Sequence, residues 1–366
     1  MPDITLFMAG LGGGGAERVM LYLARGFVEK GLSVDLVLVK TDGPSISLIP
    51  PQVRVINLDT RRLLRSFPAL ISYLRKNQPK ALLSAMEDIN VVALLCRCLA
   101  GVSTRVVVSV HNTLSVESQT STQIKKRLAP YLAKLFYPLA DRVVTVSQGS
   151  ADDLISLGLS PEIVKVIYNP VVTPELLKKA AEPLTHPWFL PGESPVILAV
   201  GRLDKQKDFP TLIRAFAQVK QQRPARLMIL GEGQDRNLLE SLVQELGLEK
   251  DVALPGFVDN PFAYMKRSAL FVLSSLYEGL PTVLIEAIAV GTPVVSTDCK
   301  SGPAEILENG KYGKLVPVGD IPAMAEAIIN ALENPLDSTL LQQKSGEFLL
   351  EKAVKQYLEV LQIARR

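Results

Sequence analysis

An α/β protein with two doubly wound parallel-sheet domains facing across a cleft is what this sequence predicts, on three observations. Short apolar runs alternate with helical stretches along the chain, the alternation starts afresh near the middle, and glycine loops sit where strands give way to helices. A chain of 366 residues, 48% hydrophobic and 21% charged, supplies enough apolar material for two cores.

The first run, residues 4–9, is a short strand entering a glycine loop, followed by a helical run over 16–30 that Gly31 ends. Strands follow at 34–39, 81–85, 105–110 and 142–146, each short and flanked by helical sequence, as buried parallel strands are. The plan restarts with a strand at 196–200 entering Gly201, a helix near 209–222 and a strand at 226–230. Strands at 252–254, 270–273 and 293–296 complete the second set. The join lies near Tyr168-Asn169-Pro170, and Pro183, Pro187, Pro191 and Pro195 then oppose any long helix before the second domain. Residues 348–363 carry apolar side chains at helical spacing and read as an amphipathic docking helix. The expected domains are therefore 1–168, 169–345 and a terminal helix at 346–366.

No apolar run reaches the roughly 18 residues that cross a bilayer, and the N-terminus lacks a basic signal-peptide region. Cys96, Cys98 and Cys299 are an odd number without zinc-type spacing, which fits reduced thiols in a cytoplasmic protein. Net charge is +3, but residues 1–168 carry 19 Lys/Arg against 13 Asp/Glu, and the remainder carries 21 against 24. That excess points to an anionic acceptor or surface for the first domain. Nucleic acid is not the expected partner.

Gly10-Leu11-Gly12-Gly13-Gly14-Gly15 contains G-x-G-x-x-G between a strand and a helix. Three readings stay open: a nicotinamide dinucleotide site, a tight turn, or backbone approach to another ligand. The first needs an acid at the end of the second strand, and that strand ends at Val39-Lys40, with Asp42 a late substitute.

The second half carries more specific chemistry. Gly201-Arg202-Leu203-Asp204-Lys205-Gln206-Lys207 puts cations directly after a buried strand, with Lys205 read as surface charge. Gly231-Glu232-Gly233 follows the next strand as a loop with room for a ligand near the backbone. Tyr277-Glu278-Gly279-Leu280-Pro281-Thr282 leads into a helix over 283–290, with Pro281 suited to its first turn. Amides there would turn their positive end to the cleft, and Glu286 falls on the same face as Thr282. A nucleotide diphosphate needs cations or dipoles at its phosphates and an acceptor for its ribose hydroxyls. Arg202, Lys207 and the helix start supply the first, and Glu286 the second. No D-x-D pair occurs to chelate a bridging metal, so fixed cations must stabilise the leaving diphosphate and no metal cofactor is expected.

Together with Gly14-Gly15-Ala16-Glu17-Arg18, Ser109-Val110-His111-Asn112, Val146–Ser150, Tyr168–Val171 and Pro255–Asn260, these residues resemble family 4 of the glycosyltransferases, retaining enzymes of GT-B architecture. The resemblance covers nearly the whole chain. It implies that Arg202 and Lys207 bind the donor diphosphate, Glu286 the ribose, and Glu278 the transferred sugar beside the Gly279–Thr282 backbone. Gly231 is placed with the donor loops, and Val258 would offer its main chain to the base. Gly13 and Gly14 would approach the donor from the first domain. His111 would lie beside the reacting sugar, against a purely structural role for a lone histidine; His186 is assigned none. Glu278 and Glu286 also invite a glycosidase reading with paired carboxylates, but one is in a loop and the other on a helix with nucleotide-binding features.

Ser301–Ile306 is similar to family members that use UDP-linked galactose-type or N-acetylhexosamine sugars, so a UDP-sugar donor and a glycan or lipid-linked acceptor are expected. An NAD-dependent oxidoreductase and a sugar-nucleotide epimerase are the competing readings. Finally, Arg61-Arg62-Leu63-Leu64-Arg65-Ser66-Phe67 mixes cations with large apolar residues, and Lys125-Lys126-Arg127 adds a second basic group. These are either solvated helix faces or a peripheral contact with an anionic membrane surface through Arg61, Arg62 and Arg65.

Overall fold

The computed structural model describes residues 1–12, 14–60, 63–121 and 123–364. It divides into two compact units, Met1–Val171 with Phe348–Arg366, and Val172–Glu347.

In the first unit seven parallel strands are β1 (Ile4–Met8), β2 (Val34–Leu38), β3 (Arg54–Asn57), β4 (Ala81–Ala85), β5 (Arg105–Val110), β6 (Arg142–Thr145) and β7 (Val164–Val166). Their order is β3-β2-β1-β4-β5-β6-β7. The order reverses between β1 and β4, so the loops leaving those two strands diverge to opposite faces and open a crevice. The central strands β1, β2 and β4 are buried along their whole length, which is why each reads as an unbroken apolar run.

One face of this sheet is covered by the helix Gly15–Glu29 and by the last helix, Leu350–Leu361. A Cβ on Gly26 would stand 2.4 Å from Val354 Cγ2, so glycine is what lets the two helices touch. Arg105 Nε donates to the Val360 carbonyl at 2.7 Å, and Tyr357 is buried. Helices Phe67–Asn77, Glu87–Ala100 and Ile124–Phe136 pack on the other face.

The second unit repeats the plan with β8 (Val196–Val200), β9 (Arg226–Leu230), β10 (Val252–Gly256), β11 (Leu270–Leu273), β12 (Val294–Thr297) and β13 (Lys314–Val316), in the order β10-β9-β8-β11-β12-β13. The reversal falls between β8 and β11. Every strand pair in both sheets is parallel among the described residues.

Three strands escape the sequence reading: β3, β7 and β13. All lie at or near an edge and are partly solvated, so none shows an apolar run. Several boundaries also move by a residue or two. The helix expected at 283–290 is Thr282–Ala289, and Pro281 is its extended N-cap (φ −68°, ψ 102°) rather than a residue of its first turn. The three cysteines are unpaired. Among the described residues no helix is long and apolar enough to cross a membrane.

Candidate functional site

In the second unit, the loop after β8 is held by the loops after β9 and β11. Gly201 N–H donates to Leu230 O at 3.0 Å and Leu203 N–H to Glu232 O at 2.9 Å. A Cβ on Gly231, where φ is +142°, would fall 1.9 Å from the Gly201 carbonyl oxygen; one on Gly233 would fall 2.2 Å from Leu203 O. The space a side chain would take at Gly231 and Gly233 is therefore occupied by neighbouring backbone. These glycines pack one loop against another.

That packing sets Lys207. Its aliphatic stem lies over Gly201, with Cε 3.1 Å from where a Cβ would be. Its ammonium reaches Glu278 Oε1 at 2.6 Å, and the same oxygen accepts from Ser275 Oγ at 2.6 Å. The lysine side chain is 16% exposed and the glutamate 9%. A carboxylate and an ammonium so shielded from water persist because each satisfies the other. Gln206 ties the same loop to the loop after β11, donating from Nε2 to Tyr277 O at 2.9 Å while its own carbonyl accepts from Leu276 N–H at 2.8 Å. The loops therefore bring Lys207 and Glu278 together at the sheet's switch point.

Arg202 is placed differently. Its side chain is 70% exposed and its Nε donates to Asp204 Oδ2 at 2.6 Å. It is an exposed cation paired with Asp204, whereas Lys207 is shielded and paired with Glu278.

The Gly279–Pro281 loop precedes the helix Thr282–Ala289, whose start carries no side-chain cap. The N-cap itself, a proline, has no side-chain group to offer the first amides, and the Pro281 carbonyl accepts from Leu284 N–H at 3.1 Å. Glu286 lies one turn along and is 3% exposed, a buried carboxylate on the face that follows Thr282. Behind the loop, Ser301 Oγ donates to Gly279 O at 3.0 Å, and a Cβ on Gly302 (φ +91°) would meet Pro281 Cδ at 2.6 Å. Ser301 and Gly302 clamp the loop, a role the sequence reading missed. Ser275 was missed too: no pattern marks a serine that orients a neighbouring carboxylate. Cys299 lies near Glu278, and burial with that negative charge pushes its thiol up to about 12, so it stays protonated. Val258 is half-buried just beyond β10, next to the exposed Phe257.

In the first unit, the glycine loop leaves β1 and enters the helix Gly15–Glu29. Gly14 N–H donates to Glu17 Oε2 at 3.1 Å, so a carboxylate caps this helix start. It takes up an amide that a dinucleotide pyrophosphate would use and puts a negative charge beside it. Asp42, the substitute ribose acceptor, is held by Lys40 at 2.9 Å. Both facts oppose the dinucleotide reading. Gly13 lies outside the described residues. A small crevice lined by Met8, Ala9, Gly10, Ala16, Glu17, Ala85 and Met86 marks the β1/β4 switch point.

His111 follows β5, with Nε2 3.1 Å from Ser109 Oγ. Desolvation pulls its imidazole down to about 4, so the ring is neutral at pH 7. Asn112 Nδ2 donates to Glu117 Oε2 at 3.3 Å. At the end of β4, burial raises the Glu87 carboxyl to about 7, reinforced by Glu117 and Asp88. Glu87 has no sequence signal, because its environment comes from residues far along the chain.

Comparison with known proteins places both halves of the chain in a family. The "Glycosyltransferase Family 4" model matches residues 13–174, and the "Glycosyl transferases group 1" model matches residues 183–356. An N-acetylgalactosaminyltransferase of Campylobacter jejuni, named for N-acetylgalactosamine-N,N'-diacetylbacillosaminyl-diphospho-undecaprenol, is 30% identical over 91% of each chain. The lipopolysaccharide 1,6-galactosyltransferase of Escherichia coli is 30% identical over 54% of this chain and 52% of its own. Among solved structures, Anabaena HepE with UDP and glucose superposes with a TM-score of 0.79 at 23% identity over the whole of both chains. Sucrose-phosphate synthase of Thermosynechococcus elongatus gives 0.81 at 22%, over 99% of this chain and 98% of that one. The two Rossmann-like units are those of the GT-B fold. With family models on both halves and a relative of that identity along nearly its full length, this chain belongs to glycosyltransferase family 4.

Proposed function

We propose that the protein is a retaining, metal-independent transferase that moves a sugar from UDP to a glycan carried on a lipid. The observation that carries this reading is the shielded Lys207–Glu278 pair at the β8/β11 switch point, beside a helix start without a side-chain cap. A diphosphate arriving there meets a fixed ammonium and the positive end of a helix, and both act on charge that grows as the diphosphate departs. Arg202 adds an exposed cation. Glu286 receives the ribose hydroxyls, and Val258 the base through its main chain. Glu278, held by Lys207 and Ser275, contacts the transferred sugar alongside Gly279, Leu280, Pro281 and Thr282. Gly13 and Gly14 are the first-unit backbone that approaches the donor, and His111 is a neutral hydrogen-bonding partner of the reacting sugar.

In the proposed step the bond from the sugar's anomeric carbon to the diphosphate oxygen breaks as the acceptor oxygen bonds on the same face. The acceptor hydroxyl proton passes to the departing phosphate oxygen, and UDP leaves. The activities for which the relatives are named favour a galactose-type or N-acetylhexosamine sugar and a lipid-linked or lipopolysaccharide acceptor. HepE complexes with UDP and UDP-glucose support the nucleotide.

A thermal-shift panel of nucleotide sugars, run with and without EDTA, tests this. A ligand at 100 times its dissociation constant adds about 2.7 kcal/mol, a shift of a few degrees. UDP and UDP-sugars should stabilise the wild type with EDTA present, and Glu286→Ala should lose most of that shift. A shift with NADH and none with UDP would refute the reading.

A further inference from the structure

The helix Ile124–Phe136 presents its apolar side to water. Ile124 is 74% exposed, Leu128 48%, Tyr131 73% and Leu135 68%, and Leu139 follows at 40%. Steps of three and four residues place them on one stripe. The inward side is narrow, with Ala129, Pro130 and Ala133 buried. Pro130, which lacks an N–H, packs against the protein. At about 100° per residue, Arg127 and Lys134 flank one shoulder of the stripe and Lys125 the other. All three are exposed. From residue 124 to 139 the chain carries four cations and no acid.

We infer that this helix is the element that docks the protein on an anionic bilayer surface, lying in the interface with Ile124, Leu128, Tyr131 and Leu135 among the lipids and Lys125, Arg127 and Lys134 at the headgroups. Charge decides the occupant. A second copy would bring cations against like cations, whereas anionic headgroups complement them, at about 1 kcal/mol per cation near the surface. At 13 residues, about 20 Å long, the helix is too short to span and suited to lie flat. Its start is tied to the candidate site. Lys126 Nζ lies 2.6 Å from Glu117 Oε1, and Glu117 accepts from Asn112, the neighbour of His111. The surface would thus meet lipid next to the strand end where an acceptor is expected. The inference deepens the lipid-linked reading and rests on it for purpose, but binding is measured without transfer. It also differs from the Arg61, Arg62 and Arg65 surface expected from sequence: Arg65 ends a short turn at Leu63–Ser66, and Arg61 and Arg62 lie outside the described residues.

Co-sedimentation of the full chain with phosphatidylcholine vesicles, with and without phosphatidylglycerol, tests it. Wild type should bind the anionic vesicles and weaken in high salt. Leu128→Glu, Tyr131→Glu and Leu135→Glu combined should reduce binding about ten-fold or more, with melting temperature and UDP-induced shift unchanged. Lys125→Glu, Arg127→Glu and Lys134→Glu combined should abolish the preference for anionic lipid. Arg61→Glu, Arg62→Glu and Arg65→Glu combined should bind within about two-fold of wild type, since they leave the apolar stripe intact. Unchanged binding of the stripe variant overturns the inference. So does wild-type self-association, seen by analytical ultracentrifugation and lost in that variant, because it assigns the stripe to a second copy. Failure of the donor reading shows separately, as no UDP-induced shift with vesicle binding retained.

Discussion

The two glycine loops look alike in sequence and differ in what fills the space their side chains would take. At Gly231 and Gly233 the space is occupied by the Gly201 and Leu203 carbonyls, and Gly231 also holds a φ that other residues avoid. At Gly12 and Gly14 the nearest foreign atom to an added Cβ is 3.6 Å and 4.0 Å away, and neither φ is positive. The second unit thus needs its glycines to bring its own loops together. At Gly12 and Gly14 neither close packing nor a positive φ requires glycine.

The largest expected effect tests what the packed loops deliver. If they exist to fix Lys207, Lys207→Gln should lower kcat about 10²–10³-fold, the order seen when one fixed electrostatic donor is lost. Donor KM should move much less, because the charge matters most as the diphosphate leaves. Steady-state kinetics at saturating acceptor measure both, and a kcat within two- or three-fold of wild type would remove Lys207 from the step. Next, Gly231→Ala and Gly14→Ser should separate stability from function. Gly231→Ala forces backbone apart and should cost about 2–4 kcal/mol in denaturant unfolding. Gly14→Ser keeps a good N-cap and meets nothing within contact distance, so stability should stay within about 0.5 kcal/mol. Its donor KM should still rise about ten-fold, since the hydroxymethyl group projects where a ligand is proposed to come close. Equal stability losses in the two variants would erase the contrast between the loops.

Much of this was legible because local signals and the fold agree. Central strands such as Ala81–Ala85 are buried on both faces and announce themselves as apolar runs, whereas β3, β7 and β13 are part-solvated and have no such pattern. Lys207, Glu278 and Glu286 stand out in the sequence because they follow buried strands or lie one turn into a helix, where ligands bind in open α/β sheets, and because the family resemblance falls on them. What they touch was not legible. The Lys207–Glu278 bond spans 71 residues, and the Ser301 clamp on Gly279 spans 22. The outward apolar stripe at 124–135 was hidden for a similar reason. Helical spacing shows that a stripe exists, but only packing shows that the narrow Ala129–Ala133 side, not the stripe, is buried.

The smallest expected effect is a cancellation within the first unit. His111 is held near 4, below the ordinary imidazole value of about 6.5, while Glu87 is raised to about 7, above the ordinary glutamate value of about 4.3. As pH falls from 6.5 to 4, the unfolded chain takes up the His111 proton first, so acid destabilises the fold. As pH falls from 7 to about 4.5, the native state takes up the Glu87 proton first, so acid stabilises it. Each slope is at most about 1.4 kcal/mol per pH unit, and the two oppose each other over nearly the same window. Their summed contribution between pH 6.5 and 4.5 should therefore be close to zero, and the single variants should expose it. Relative to wild type, Glu87→Gln should lose stability on acidification through this window, and His111→Gln should gain it. Urea unfolding at half-unit pH steps measures both differences. Parallel curves for the two variants would mean that these groups do not sit in the desolvated strand-end environment described here, and His111 would then titrate near 6.5 as an ordinary surface imidazole.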